Sequence, residues 1–175
     1  MPTSSIHANL MVIDDVGTLI CGSPHSGKSE LTLMLLDRGH RLVADDAVEL
    51  QNKNGVLIGH CPAAIYGFMQ IDFVGVINIE KIYGQQALLT QHTIEIVIHL
   101  TQNKKNMVLK QPLTPLKSHR EFLRVILPQF ELPNTPEKSV ALLTETLVHN
   151  YKLKKFGYDV YQDFLSRTAE CNKND

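Results

Sequence analysis

A glycine-rich loop near the start of the chain has the spacing of a phosphate-binding site. Residues 22–29 read GSPHSGKS and match G-x-x-x-x-G-K-[ST] at every fixed position. In such loops successive backbone N–H groups point at phosphate oxygens, and the following helix adds its positive N-terminus. Lys28 is expected to reach the β- and γ-phosphates and Ser29 to hold Mg²⁺. The predicted nucleotide-binding residues are Gly22, Ser23, Pro24, His25, Ser26, Gly27, Lys28 and Ser29.

Two adjacent carboxylates, Asp45 and Asp46, follow the loop after one helix-length segment and the strand-like run HRLVA. We expect that strand to return beside TLIC (18–21), with its carboxyl end at the loop, where open α/β sheets bind ligands. One carboxylate can then hold Mg²⁺, and the other can accept the proton of an attacking hydroxyl. Without the loop, the pair would indicate only a solvated strand end or a helix cap.

The composition limits the other possibilities. The 175 residues suit a single domain, and a net charge of −1 gives no electrostatic reason to expect nucleic acid or a membrane as the partner. Three cysteines without C-x-x-C spacing favour reduced thiols over disulfides or zinc. The N-terminus lacks a signal-peptide pattern, and no apolar run reaches the roughly 18 residues of a membrane span. These features predict a cytoplasmic protein.

Short apolar runs in the first half predict strands: LMVI, TLICG, HRLVAD, AVELQ and VLIGHC. Residues 52–55, NKNG, predict a hairpin turn. A further strand is expected at 93–100, with residues 107–113, MVLKQPL, pairing back on it after a polar turn.

Four helices are expected. The first covers 29–38 and is ended by Gly39. The second begins at about Ser118 and is broken at Pro128. The third is capped by Thr135, with Pro136 at its first position and Glu137 at the positive end of its dipole, and runs to about Lys155. The fourth is short, within 158–167, and residues 169–175 are expected to form a frayed tail.

The segment LICGSPHSGKSELTLMLLDRGHRLVADDAVEL resembles the catalytic domain of bacterial HPr kinase/phosphorylase, which joins its loop to such an ADD in this manner. FMQIDFVGVINIEKIYG (68–84) resembles the family's signature segment, roughly L-E-x-R-G-x-G-I-I-N-[VI]. LPNTPEKSVALLTETLVHNYKLKKFGYD resembles its P-x-x-P-G-R-N-x-A segment with the helix that follows, and IHANLMVIDDVGTLICG resembles the strand before the loop. The resemblance covers about residues 6–160.

This resemblance implies an α/β fold: a P-loop (Walker A) kinase core of the HPr kinase C-terminal type, with a mixed sheet and flanking helices. It implies an ATP- and Mg²⁺-dependent kinase for a seryl side chain of HPr, the small phosphocarrier protein of sugar transport, and similarity to enzymes that reverse the step by phosphorolysis. Family members form hexamers, so a homo-oligomer is expected. Many also carry an N-terminal regulatory domain, and residues 1–175 resemble the truncated members that lack one.

The resemblance also implies roles for individual residues. Asp45 matches the general base, which turns acid in the reverse reaction, and Asp46 matches a carboxylate on the metal side. His7 matches an active-site His, for which the alternative is a partly exposed strand residue. Gln70 stands at the position of a metal-binding Glu, and Lys138 at the position of a catalytic Arg. Tyr151, Phe156, Tyr158 and Tyr161 are candidates for the surface that meets a neighbouring subunit and the protein substrate.

The chain departs from the family at several of these positions. Gln70 lacks the anionic charge of the family's Glu, and Asp72 reverses the charge of its Arg. Phe73 stands where the family has Gly, and Glu137-Lys138 replaces Gly-Arg. In the loop, Pro24 removes one N–H donor and His25 adds a titratable group, where the family usually shows Ser and Gly.

Two alternatives to a serine kinase therefore stay open. One is a nucleotide-binding regulator of the same fold without transfer activity, which Gln70 and Asp72 favour. The other is a small-molecule P-loop kinase, which would need a lid with arginines over the phosphates. Arg120 and Arg124, on the helix expected after Ser118, are the candidates for such a lid.

Overall fold

The computed structural model describes residues 3–102, 114–115, 117–135 and 138–171. Its helices are α1 (Lys28–Asp37), α2 (Ile79–Tyr83), α3 (Val140–Lys155) and α4 (Val160–Cys171), with single 3₁₀ turns at Ala63–Ile65 and Gln85–Ala87. Its strands are β1 (Thr3–Ile6), β2 (Asn9–Ile13), β3 (Val16–Gly22), β4 (Arg41–Ala44), β5 (Val48–Lys53), β6 (Val56–His60), β7 (Phe68–Ile71), β8 (Gly75–Asn78), β9 (Gln91–Thr93), β10 (Ile96–Thr101), β11 (Lys117–Phe122) and β12 (Val125–Pro133).

A mixed six-stranded sheet forms the centre of the described fold, in the order β11-β12-β10-β3-β2-β4. β10 is parallel to both β3 and β12, whereas β2 is antiparallel to its neighbours β3 and β4. β4 therefore runs in the same direction as β3. A second sheet has the order β1-β5-β6-β9, and β7 and β8 form a separate hairpin.

Both faces of the central sheet are covered, which explains why its inner strands β2, β3 and β10 are mostly apolar and buried. One face packs under α1 and α3, in a cluster that includes Met11, Ile20 and Leu35. The other face packs on the four-stranded sheet, through residues such as Leu19 and Leu50. The result is a three-layer α/β/β arrangement. Among the described helices, none is long and apolar enough to cross a bilayer.

The carboxyl ends of four parallel strands meet at one edge of this sheet, because β3, β4, β10 and β12 all run the same way. The glycine-rich loop follows β3, and the aspartate pair follows β4. Gln102 follows β10 and Asn134 follows β12. β2 begins at the same edge with Asn9. Five segments distant in the sequence thus deliver polar side chains to one place.

Several local predictions are confirmed. The five apolar runs of the first half are strands β2 to β6, and the NKNG turn joins β5 to β6 with positive φ at Asn54 and Gly55. Gly39 follows α1 with φ 90°, and α3 ends at Lys155 before Gly157 with φ 94°. The strand expected at 93–100 is β10, which begins at Ile96. The expected pairing of 107–113 lies outside the described residues.

The prediction of a helix from Ser118 is wrong, because this segment forms the antiparallel hairpin of β11 and β12. Its apolar residues Leu123, Ile126, Leu127 and Phe130 have helical spacing, which explains the prediction. The turn between the strands places Leu123 and Arg124 at φ 49° and 67° without an Asn-Gly signal. Pairing of β12 with β10 then stabilises this segment as a strand in place of the predicted helix. Arg120 accordingly lies on β11, with its guanidinium 5.0 Å from the centre of the Phe122 ring, so the predicted lid helix is absent from these residues.

Two further predictions need correction. The strand β4 does not lie beside β3, because β2 is inserted between them, although the carboxyl end of β4 still reaches the loop. The third helix begins at Val140 with Ser139 as its N-cap, not at Thr135, and Ser139 Oγ accepts from Leu142 N at 3.4 Å. Thr135 O instead accepts from Lys138 N in a turn before the helix. Pro136 and Glu137 lie outside the described residues.

Candidate active site

The glycine-rich loop connects β3 to α1 in a tight curl. Gly22 and Gly27 have φ 159° and 89°, and His25 has φ 59°. A Cβ at Gly27 would lie 2.0 Å from Asn134 Nδ2, and a Cβ at Gly22 would lie 2.4 Å from Ser26 Oγ, so both positions exclude a side chain. The glycines are thus required by close approach as well as by backbone geometry.

Two residues that the sequence did not single out brace this loop from the neighbouring strands. Asn134 Nδ2 donates to Ser26 O at 2.9 Å, and Gln102 Nε2 donates to His25 O at 2.6 Å. Both residues directly follow parallel strands, so the loop is held from β10 and β12. Their position after apolar strands is the sequence signal that could have found them.

The loop carries a buried ammonium group and a buried hydroxyl group. Lys28 is buried, and its Nζ donates to Gly22 O and Ser23 O at 3.4 Å each. Within the described chain, Ser26 Oγ is buried without a hydrogen-bond partner. A buried hydroxyl in this state is costly unless a ligand or water satisfies it. The loop therefore has unsatisfied capacity for a polar ligand such as a phosphate.

Asp45 lies inside the site, with only 5% of its surface exposed. Its Oδ1 accepts from Asn9 Nδ2 at 2.6 Å and lies 3.4 Å from Ser29 Oγ, whereas its Oδ2 accepts from Gln70 N at 3.3 Å. Burial raises the pKa of Asp45 to about 6, the Gln70 N–H opposes this rise, and the charge of Asp46 adds to it. A cation in the adjoining cavity would favour the charged carboxylate.

Asp46 is placed differently from its neighbour. Its side chain is 67% exposed, and its Oδ1 lies 2.9 Å from His7 Nδ1. A positive φ of 63° turns the chain at this residue, and its backbone N–H donates to Asn9 Oδ1 at 3.0 Å. Asn9 thus holds both aspartates, and its position at the start of the apolar strand NLMVI was the signal that sequence reasoning missed.

A cavity of about 210 Å³ brings most of the predicted site residues together. Its wall is formed by the turn before β2, the aspartate pair after β4, the loop, α1 and the β7–β8 hairpin. The lining residues are His7, Pro24, His25, Gly27, Lys28, Ser29, Glu30, Asp45, Asp46, Gln70 and Asp72. Four predicted site residues are not on this wall: Gly22, Ser23, Ser26 and Lys138. Lys138 lines a neighbouring cavity of about 860 Å³, with Asn134 and Thr135.

The donor set fits Mg²⁺ held jointly with phosphates. In the ranges that the structure describes, no group of three or more His, Cys, Asp or Glu side chains is arranged to hold a metal ion by itself. Mg²⁺ typically takes one or two carboxylates and completes its octahedron with water and substrate phosphates. Ser29 Oγ with Asp45 Oδ1 offers such a partial set, and the Gln70 side chain faces the same cavity.

Comparison with known proteins identifies the family. A model of the family "HPr Serine kinase C-terminal domain" matches residues 1–168. HPr kinase/phosphorylase of Brevibacillus brevis is 36% identical over 174 residues, which are 97% of this chain and 55% of that protein. The protein of the same name from Clostridium tetani is 36% identical over 86% of this chain and 49% of its own length. The chain thus spans about half the length of the curated relatives that it matches.

A solved structure agrees with this assignment. The Hpr(Ser) kinase/phosphatase from Coxiella burnetii superposes with a TM-score of 0.84 at 41% identity, over 92% of this chain and 98% of that one. The chain belongs to the HPr serine kinase C-terminal domain family.

Proposed function

We propose that this chain is an ATP-dependent protein-serine kinase that phosphorylates HPr or an HPr-like phosphocarrier in the regulation of carbohydrate metabolism. The observation that carries the proposal is the contact of Ser29 Oγ with Asp45 Oδ1 at 3.4 Å, in one cavity with Lys28. A hydroxyl, a carboxylate and an ammonium group in this relation are what a Mg²⁺-nucleotide needs at a P-loop. The names of its relatives favour HPr as the acceptor.

The loop residues 22–29 would act as a P-loop that binds the phosphates of ATP. Backbone N–H groups and Lys28 would neutralise the phosphate oxygens, and the buried Ser26 hydroxyl would gain the partner that it lacks among the described residues. Ser29 and Asp45 would hold Mg²⁺, with Gln70 beside them. When bound, Mg²⁺ supplies charge neutralisation of the β- and γ-phosphates. Lys138, from the neighbouring cavity, is a further proposed cation for the phosphates.

We propose that the two aspartates exchange the roles that the family resemblance implies. Asp45 is almost fully buried and already accepts three hydrogen bonds, so a seryl residue of another protein has little access to it. Asp46 is two-thirds exposed and borders the cavity. A carboxylate that receives a proton from a protein substrate must be reachable. Asp46 is therefore the better candidate for the base, and Asp45 for the metal.

His7 would orient the base. Its Nδ1 lies 2.9 Å from Asp46 Oδ1, at a half-exposed position. In the forward step the seryl Oγ attacks the γ-phosphorus, the bond from that phosphorus to the bridging oxygen of ADP breaks, and the seryl proton passes to Asp46. In the reverse step Asp46 would return this proton.

Paired aspartate variants test the assignment. Asp46→Asn should abolish phosphate transfer to HPr, measured by intact-mass spectrometry, while calorimetry finds unchanged Mg-ATP affinity. Asp45→Asn should weaken ATP binding in the presence of Mg²⁺ and leave binding without the metal nearly unchanged. If Asp45→Asn instead abolishes transfer at full Mg-ATP affinity, then Asp45 is the base and the exchange is refuted. Failure of the wild-type chain to bind ATP would refute the kinase itself.

A nucleotide-binding regulator without transfer activity is the second candidate. It is favoured by Gln70, whose neutral side chain faces the cavity, and by Asp72 on the same wall. ATP binding without any phosphate on HPr would select it. A small-molecule kinase has lost its main support, because Arg120 lies on β11 and not on a lid helix. A homo-oligomer, including the family's hexamer, stays a proposal that sedimentation would test.

A further inference from the structure

An exposed apolar patch borders the catalytic cavity on the β7–β8 hairpin. Phe73, at the turn, is fully exposed, and Phe68, Val74 and Val76 are each exposed by about half or more. We call these four residues the hairpin patch. Soluble monomers rarely expose contiguous apolar groups without a binding role. The hairpin patch is therefore a candidate surface for binding a partner.

The strand register places two members of the patch, Phe68 and Val76, on the cavity side of the hairpin. Gln70, which lines the cavity, is the cross-strand partner of Val76, so the two side chains share a face. Phe68 lies two residues before Gln70 and therefore on the same face. The alternate residues Met69 and Ile71 are buried in the core. The patch is thus continuous with the cavity wall and is not a poorly covered piece of core.

The backbone at the turn supports a functional reason for Phe73. It adopts φ 65°, a conformation that bulky L residues rarely take. The side chain is exposed, so no packing within the described chain offsets this strain. The preceding residue, Asp72, lines the cavity and lies 3.8 Å from His25 Nδ1 on the glycine-rich loop. Phe73 therefore directly follows a residue of the cavity wall.

We propose that the hairpin patch docks the phospho-acceptor protein, through apolar side chains that flank its target serine and a basic side chain that faces Asp72. The inference rests on the proposed kinase function. A serine that reaches Asp46 enters a cavity of which the hairpin forms one wall. A second copy fixed on the patch would obstruct that approach, which is why we assign the patch to the transient acceptor.

Charge supports the same partner. The exposed charged groups on the cavity wall are predominantly acidic, with Glu30, Asp46 and Asp72 as carboxylates, whereas the ammonium group of Lys28 is buried. Potentials of opposite sign favour specific encounter. A segment with a basic residue beside apolar ones therefore complements this rim. Asp72 replaces the Arg of the resembled signature segment, so this preference would be particular to this chain.

The test compares Phe73→Asn and Val76→Thr with the control Ile126→Thr. Asn tolerates a positive φ, and Ile126 is a β-branched strand residue of similar exposure, 65% against 70% for Val76, outside the cavity wall. With HPr as the probe, each hairpin variant should raise KM for HPr about tenfold, with unchanged ATP affinity and nearly unchanged kcat. Asp72→Asn should raise KM less and reduce its dependence on salt. The control should behave as wild type.

The outcomes separate this inference from the kinase proposal. Transfer to HPr with equal KM in all variants would overturn docking at the patch and leave the kinase intact. A smaller assembly in sedimentation of Phe73→Asn, with unchanged KM, would assign the patch to a second copy and also overturn the inference. If wild-type chain binds ATP but neither binds nor phosphorylates HPr, both the acceptor assignment and this docking are refuted.

Discussion

The side-chain amide of Asn9 donates to the carboxylate of Asp45, with 2.6 Å between Nδ2 and Oδ1, and both residues are buried. The same amide nitrogen lies 2.9 Å from Thr32 Oγ1, and Asn9 Oδ1 accepts from the backbone of Asp46. The Asn9 side chain on β2 thus connects the two aspartates that follow β4 with Thr32 on α1. It positions both candidate carboxylates without itself lining the cavity.

Replacement of Asn9 by Leu should therefore destabilise the protein and disturb the site. Asp45 would lose its shortest hydrogen bond, and the Asp46 N–H would lose its acceptor, at a cost of about 3 kcal/mol for such buried groups. Urea unfolding measures this cost, and calorimetry with Mg-ATP should find weaker binding. Asn52→Leu is the control, because Asn52 also bridges two segments but lies on β5, away from the cavity. Equal effects of both variants on Mg-ATP binding would contradict a positioning role for Asn9.

The raised pKa of Asp45 predicts an unusual pH dependence of stability. Its pKa is about 6 in the folded chain against 3.8 in the unfolded one, so between these values the folded state binds more protons. Stability attributable to this group therefore falls as pH rises from about 4 to 7, by about 3 kcal/mol for a two-unit shift. The variant Asp45→Asn should not lose stability in this way, because its amide does not titrate. We expect it to gain stability relative to wild type over that range in urea unfolding, and parallel curves would show that the pKa is not raised.

The sequence predicted the loop, the aspartates and their meeting at one edge, because these depend on local signals and on the direction of parallel strands. It could not predict that β2 lies between β3 and β4, since pairing partners are decided by tertiary packing. The hairpin of β11 and β12 was missed because Leu123 and Arg124 adopt left-handed conformations that neither residue signals. Pairing with β10 there overrides a helical pattern.

The bracing residues show the same limit on sequence reasoning. Asn9 begins β2, whereas Gln102 and Asn134 follow β10 and β12. Only the sheet order brings Asn9 to the aspartates and the other two residues to the loop. Their residue type is common in turns, so it carries no distinguishing signal by itself. Lys138 was predicted with the catalytic group, yet it lies in the neighbouring cavity, because the turn before Ser139 delays the start of α3.

Two glycines with nearly the same backbone angle allow the packing of the glycine-rich loop to be tested. Gly27 has φ 89° and would bring a Cβ within 2.0 Å of Asn134, whereas Gly39 has φ 90° and nothing within 4 Å. Each change to Ala should cost about 1 kcal/mol from the left-handed conformation alone. Gly27→Ala should in addition weaken ATP binding at least tenfold, because Asn134 must move and release Ser26 O. If ATP binds both variants with wild-type affinity by calorimetry, the loop does not depend on this close approach.

Gln70→Glu should restore an acidic ligand to the proposed metal site. The Gln70 side chain lines the cavity, and its backbone N–H donates to Asp45, so a carboxylate there would lie close to two others. Without metal, mutual repulsion should lower stability and raise the pKa of Asp45 further. With ATP present, the added charge should strengthen Mg²⁺ binding about tenfold and raise the rate of transfer to HPr, since Mg²⁺ prefers anionic oxygen ligands.

Calorimetric titration with Mg²⁺ at saturating ATP measures the gain in Mg²⁺ affinity. Urea unfolding without metal measures the loss of stability. The control is Gln85→Glu, which adds the same charge at an exposed position on the 3₁₀ turn outside the cavity wall. A gain in Mg²⁺ affinity in Gln70→Glu alone, together with a loss of metal-free stability, is the signature of a ligand position. Equal behaviour of the two variants would place Gln70 outside the metal's reach, and the neutral residue there would then leave the proposed transfer reaction intact.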